Sequence, residues 1–168
     1  IDMKKDFFWF FMTWTLSGLW VFLTYVAGLS AMTSINLIED MSSYHFIFMF
    51  IGFLLWVLGF IIEILADNQK KIFRENPINK GKFISSGLWA WSRHPNYFGD
   101  LVVWISIFTF SISSENLLFI AGSFLSPLIM GLIFYYITGP IMDQAMMQSR
   151  PDYKKYMENS NSLLPKFK

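Results

Sequence analysis

"FIFMFIGFLLWVLGFIIEILADNQKKIFREN", residues 46–76, is apolar as far as Ile62 and largely polar from Asp67 onward. No proline interrupts it. Residues 46–66 alone supply the roughly 20 residues of helix needed to cross a hydrocarbon core of about 30 Å. The stretch therefore reads as a membrane helix that continues into water, and the remaining segments are judged against it.

Three further apolar segments follow the same reading, at residues 7–29, 97–112 and 117–138. Segment 97–112 is short and carries Asp100 near its start. Segment 7–29 is too long for the 7–15-residue core of a secretory signal and reads as a spanning helix. Composition agrees: 54% of the 168 residues are hydrophobic, 15% are charged and the mean hydropathy is +0.43. Soluble domains carry about 25% charged residues. The expected fold is all-α, a polytopic membrane bundle of about four transmembrane helices with a short C-terminal interfacial helix. It forms one membrane domain over residues 1–168, read as the C-terminal part of a longer protein because the first residue is Ile.

Thirteen basic residues fall into three groups: Lys4 and Lys5, six between residues 70 and 93, and five between residues 150 and 168. The intervening stretches 30–45 and 113–116 contain none. Four crossings place the basic groups on one side, which the positive-inside rule makes cytoplasmic. The host membrane is then a bacterial inner membrane or endoplasmic reticulum. The absence of cysteine excludes disulfides and thiolate metal ligands, and His45 and His94 alone make no typical zinc site. No metal and no nucleic-acid partner is expected.

At about 100° per residue, Glu63, Asp67, Lys70 and Arg74 fall within roughly 60° of one another. Acidic residues at membrane depth face a bundle interior or a wet cavity and point to function. The plain alternative for the stripe is a solvated, salt-bridged helix end. Pro77, Gly81 and Gly87 end the helix and open a connection of some twenty residues, long for a compact bundle. It leads into "SRHPNYFGD", residues 92–100. Pro95 suits a first helical turn, and a helix N-terminus beside Arg93 and His94 suits an anion. Asn96, Tyr97, Asp100 and Trp104 share one face, directed inward. Met142, Met146 and Met147 with Ile141 form the apolar face of the interfacial helix, and Arg150, Tyr153 and Tyr156 then hang beneath the loop. A solvated tail is the alternative for that last stretch.

"EILADNQKKIFR", "GLWAWSRHPNYFGD", "RPDYKKY" and a late "LP" resemble the DUF1295 membrane proteins. These are relatives of the steroid 5-alpha-reductase C-terminal domain and, more distantly, of isoprenylcysteine methyltransferases. The likeness covers about residues 50–168. It implies a cytoplasm-facing NADPH pocket. Glu63, Asp67 and Arg74 would contribute from one helix, Asn96, Tyr97 and Asp100 from the next, and Arg93, His94 and Tyr153 beside them. The methyltransferase branch implies S-adenosylmethionine instead, held by His94, Pro95 and Tyr97. Asp100 and Asp143 stand where the family usually carries Glu, and Ile105 and Ser106 replace a Trp and a Gly. The reductase chemistry implied is hydride addition to a C=C bond of a lipid or sterol-like enone. The alternatives are methylation of a lipophilic acceptor and a non-catalytic lipid-binding membrane protein. Residues 1–45 supply no convincing substrate-polarising pair, since Tyr25, Glu39 and Asp40 do not make one, so the catalytic residues are left open. The partners expected are the bilayer and a lipophilic small molecule. The oligomeric state is open.

Overall fold

A computed structural model describes residues 43–113 and 117–166, together with residues 7, 11, 14, 15 and 18, which are helical. The rest of segment 7–29, Tyr25, Glu39, Asp40 and residues 114–116 lie outside the described residues. Within them the chain is all-α. Its elements are α1 (Ser43–Glu75), 3₁₀ turns at Pro77–Asn79 and Gly87–Ala90, α2 (Pro95–Ser111), α3 (Leu117–Ile133), a π-helical turn (Phe134–Thr138), α4 (Gly139–Ser149) and α5 (Tyr153–Asn159).

Two of these stretches, Tyr44–Glu75 and Leu117–Ser149, are long and apolar enough to cross a membrane. Only 11% and 17% of their most apolar windows are buried within the protein, unlike the core helices of a soluble domain. Their Phe, Leu and Ile side chains point outward, as lipid contact requires. α2 has 17 residues, the shorter element that segment 97–112 announces. The 33 residues of α1 make a rod of about 50 Å, against about 30 Å of hydrocarbon. Its polar end therefore projects beyond the core.

Consecutive helices pack antiparallel. α1 meets α2 at Gly59 and Gly99, and again where Gly52 faces the Phe108-side neighbour Phe110. α2 meets α3 through Leu101 against Gly131 and through Phe108 against Phe124, whose rings lie 5.3 Å apart. This alternation brings the α1–α2 connection and the α4–α5 region to one end of the bundle, where the polar residues collect.

The ends of the elements are closed locally. The Asn79 side chain donates to Phe73 O at 2.9 Å and satisfies one of the orphan carbonyls at the end of α1. Asn76 accepts from Ile78 N at 3.1 Å and caps the first 3₁₀ turn. Gln69 accepts from Leu88 N, and Trp89 Nε1 donates to Ala66 O, each at 3.0 Å. These two bonds dock the connection back onto α1. Gly87 adopts φ +62°, a left-handed conformation that strains any side chain, and a Cβ there would also displace Gln69 Oε1 from its bond to Leu88 N.

Candidate functional site

The polar end of the bundle is organised around Asp143, on α4 and only 4% exposed. Its Oδ2 accepts from Arg93 Nε at 3.0 Å, and its Oδ1 accepts from Tyr153 OH at 2.8 Å and faces His94 Nε2 at 3.2 Å. A buried carboxylate is costly unless paired and hydrogen-bonded, and here three donors meet it. Arg93 also donates to the carbonyls of Met157 and Ser160. Burial, reinforced by the bond to Asp143, pushes the Tyr153 phenol well above the usual tyrosine range, and burial does the same for Tyr156. Both remain neutral donors. Tyr156 OH donates to the carbonyl of Trp89 and reaches Ser92 O at 3.3 Å.

The C-terminal residues complete this hub. Ser92 Oγ donates to Ser162 O and Leu163 O, each at 2.9 Å, and the Arg93 and His94 amides donate to Asn161 O and Ser162 O at 3.0 and 3.1 Å. Lys166 N donates to Trp91 O at 2.8 Å. Residues 160–166 are thus a strap bonded along residues 91–94, with Leu163 buried beneath it. The sequence alternative of a solvated tail does not hold for this stretch. α4 continues the long helix through the π turn; Met142 and Met146 border the cavity beside the hub, while Ile141 and Met147 do not, so the four apolar residues do not act as one face.

Beside the hub lies a cavity of about 290 Å³. Arg74, Arg93, His94, Asn96, Tyr97 and Tyr153, six of the residues singled out from the sequence, line it together. So do Lys70, Lys80, Lys82 and Arg150, which bring the lining to six cationic side chains, with no Asp or Glu among them. Arg93 is paired with Asp143. No ion pair joins the other five to a carboxylate among the described residues. Lys70 lies 4.8 Å over the Trp89 ring, and Arg150 Nε holds the rim by donating to Gly81 O at 3.0 Å. Two rings of the lining, His94 and Tyr97, stack at 5.2 Å, and Tyr97 stacks in turn on Phe134, buried outside the lining, at 4.8 Å and 7°. Phe134 opens the π turn, and such turns often mark functional sites.

Glu63, Asp67 and Asp100 are not among the lining residues. Glu63 sits where α1 touches Gly99, and Asp100, in the same helix as that glycine, accepts a hydrogen bond from Trp104. Asp67 is exposed, in a surface recess beside Lys70 and Arg74. The stripe therefore divides: its basic residues face the cavity and its acids lie beside it. Sequence reasoning assigned no ligand role to Lys70, Lys80, Lys82 or Arg150. The signal available was charge alone, since these residues come from three separate elements.

Such a cavity has two chemical capacities. Several uncompensated cations attract a ligand with more than one negative charge, and flat rings receive a flat ligand face. Charged donors with phosphate oxygens make hydrogen bonds about twice as strong as neutral ones.

Comparison with known proteins places these residues in context. A 41% identical match over 46 residues joins the chain to "Probable O-methyltransferase ustE" of Ustilaginoidea virens, covering 27% of this chain and 16% of that one. A 35% identical match over 63 residues joins it to a Delta(14)-sterol reductase of Arabidopsis thaliana, covering 32% and 17%. A mouse Delta(14)-sterol reductase, TM7SF2, is 36% identical over 63 residues, covering 30% and 15%. The matches thus span less than a fifth of the length of these three relatives. No solved structure matches. The model of the family described as "Protein of unknown function (DUF1295)" matches residues 2–160, nearly the whole sequence and well beyond the region in which the motifs were read. The chain belongs to the DUF1295 family.

Proposed function

We propose that this protein is a membrane-embedded reductase that binds NAD(P)H in the cation-lined cavity and reduces a C=C bond of a lipid or sterol-like enone. The observation that carries the reading is the lining itself, with six cationic side chains, no carboxylate, and several aromatic rings. A dinucleotide brings at least two phosphate charges and two flat ring systems, and this lining suits both. Lys70, Arg74, Lys80, Lys82 and Arg150 would hold the phosphates. Tyr97 offers its ring, and the side-chain amide of Asn96, which makes no hydrogen bond among the described residues, is open to the ligand. When bound, the reduced nicotinamide supplies a hydride, while the protein supplies orientation and electrostatics. Asp67, Glu63 and Asp100 would flank the ligand from the membrane side. The positive-inside distribution supports a cytoplasmic cavity, and the outward apolar helices support entry of a lipophilic substrate from the bilayer. The likeness to two sterol reductases supports the reaction class.

The methyltransferase reading draws on the Ustilaginoidea virens relative. S-adenosylmethionine carries a sulfonium, an ammonium and one carboxylate, hence a net positive charge. Six cations around the cavity oppose it, which ranks this reading second. The test is consumption of NADPH by the purified protein in detergent when a panel of sterol-like enones is added. Enone-dependent oxidation that disappears in Arg74→Ala supports the reductase. Methyl transfer from S-adenosylmethionine with no NADPH oxidation would replace it.

A further inference from the structure

His94 sits at the junction of the buried hub and the open cavity, and its two ring nitrogens face different surroundings. The edge carrying Nε2 and Cδ2 is turned toward α4: Nε2 lies 3.2 Å from Asp143 Oδ1, and Cδ2 lies 3.6 Å from where a Cβ on Gly139 would be. Nδ1 is on the opposite side of the ring and has no hydrogen-bond partner among the described residues. It is also not a sealed, unsatisfied atom; among the described residues only Ser123 Oγ is. Since His94 lines the cavity, Nδ1 has access to it. The ring cannot turn freely, because its face is stacked on Tyr97 and its backbone amide is tied to Ser162 O and Ser92 Oγ.

Which nitrogen carries the proton follows from the partner of the other. Asp143 is acceptor-only when ionised, and Arg93 and Tyr153 already donate to it. Burial keeps the Tyr153 phenol protonated, so it has a proton to donate and does not compete as an acceptor. Nε2 must therefore bear a hydrogen, which leaves Nδ1 with its lone pair when the ring is neutral. We propose that Asp143 is a positioning residue that holds His94 as the Nε2–H tautomer, so that Nδ1 accepts a hydrogen bond from a neutral donor of the bound ligand, a hydroxyl or an amide N–H. This rests on the dinucleotide reading and refines it: the lysines and arginines take the phosphates, and His94 takes a sugar hydroxyl or the carboxamide. The anion-binding role suggested by the Arg93–His94 pair is thereby removed from His94.

The two roles give opposite pH responses. A cationic His94 bound to phosphate would tighten binding as pH falls. A neutral Nδ1 acceptor would weaken it. The charged and titratable groups facing the ring are Arg93 beside it, Tyr97 from α2, Asp143 from α4, Tyr153 from α5, and Lys70 and Arg74 across the cavity from α1. The probe is NAD⁺, whose diphosphate keeps its charge between pH 5 and 8, titrated into the full chain in detergent with His45→Gln as background. The proposal expects affinity to fall with pH. It also expects the midpoint of that fall to move to lower pH in Asp143→Asn, where the imidazolium loses its carboxylate. Affinity that rises as pH falls in the parent protein, or an unmoved midpoint in a folded Asp143→Asn, would overturn it. If Asp143→Asn does not fold, the sign of the parent's response decides. The nitrogen-15 spectrum of ligand-free His94 separates this from the dinucleotide reading. If NAD⁺ fails to bind at any pH, the dinucleotide reading falls, while a protonated Nε2 with bare Nδ1 still supports the tautomer and a protonated Nδ1 with bare Nε2 overturns it.

Discussion

Gly59 and Gly99 pack backbone against backbone where α1 crosses α2. A Cβ on Gly99 would lie 2.8 Å from Gly59 O and 2.7 Å from the Glu63 amide nitrogen. Small residues at such crossings let membrane helices approach closely. The contact sits one residue before Asp100 and three after Asn96, so it sets how α2 presents its polar first turn.

Gly99→Ala is therefore expected to destabilise the protein. The gain in helix propensity is about 1 kcal/mol, while overpacking costs about 1–3 kcal/mol. Here the obstacle is backbone, which cannot rotate away. Gly122→Ala is the control, because nothing lies within 4 Å of a Cβ there. Melting in detergent should show a lower transition for the first and an unchanged or higher one for the second. Equal transitions would mean that the crossing is looser than described.

Asn96→Leu and Asp100→Leu should now behave differently. Asn96 lines the cavity without a protein partner, so Leu should leave the ligand-free melting temperature unchanged or higher and weaken NADPH binding. Asp100 accepts from Trp104, so its loss strands a donor at about 1–3 kcal/mol. A lower ligand-free melting temperature is expected for Asp100→Leu alone. Destabilisation by Asn96→Leu, with binding intact, would make Asn96 an anchor.

The phenols of Tyr153 and Tyr156 provide a pH test. Both are held above their ordinary range in the folded protein, first by burial. Their stabilisation is complete below the unfolded tyrosine value of about 10 and is lost as pH rises beyond it, because the unfolded state releases the protons first. Each tyrosine contributes a slope of up to about 1.4 kcal/mol per pH unit. Denaturation at pH 8 to 12 should show stability flat to about pH 9 and falling above about pH 10. Tyr153→Phe should be less stable at pH 8 but lose stability less steeply. An identical slope in the variant would mean that Tyr153 ionises as an exposed phenol.

Topology is testable because the chain has no cysteine. A single cysteine at Lys82 should react with an impermeant thiol reagent only from the cytoplasmic side of sealed vesicles, and one at Ser113 only from the opposite side. Labelling of both from one side would remove the alternation on which the cytoplasmic cavity rests.

Local signals in the sequence foretold local structure. Pro77 marked the end of α1 and Pro95 opened α2, while the one-sided spacing of Lys70 and Arg74 fitted a solvated helix end as readily as the cavity wall they line. "RPDYKKY" was placed beneath the loop, and Tyr156 does bond to Trp89 O there. The hub was not legible, because Asp143 reaches Arg93 and His94 across about fifty residues and no periodicity encodes such a pairing. Nor was the strap. "SNSLLPK" is polar enough to read as solvated, and its order comes from backbone bonds to residues 91–94, which side-chain patterns do not record. The acidic and basic members of the stripe share a helical face to within roughly 60°, yet only the basic ones line the cavity.

The central claim is that the cation-lined cavity holds a phosphate-bearing dinucleotide, and native mass spectrometry of the full chain purified gently in detergent tests it most directly. The account predicts a retained NADP(H) or NAD(H) mass, lost in Arg74→Ala and stripped by high salt as phosphate contacts are screened. Retention of S-adenosylmethionine or its demethylated product instead, unaffected by Arg74→Ala, would contradict it.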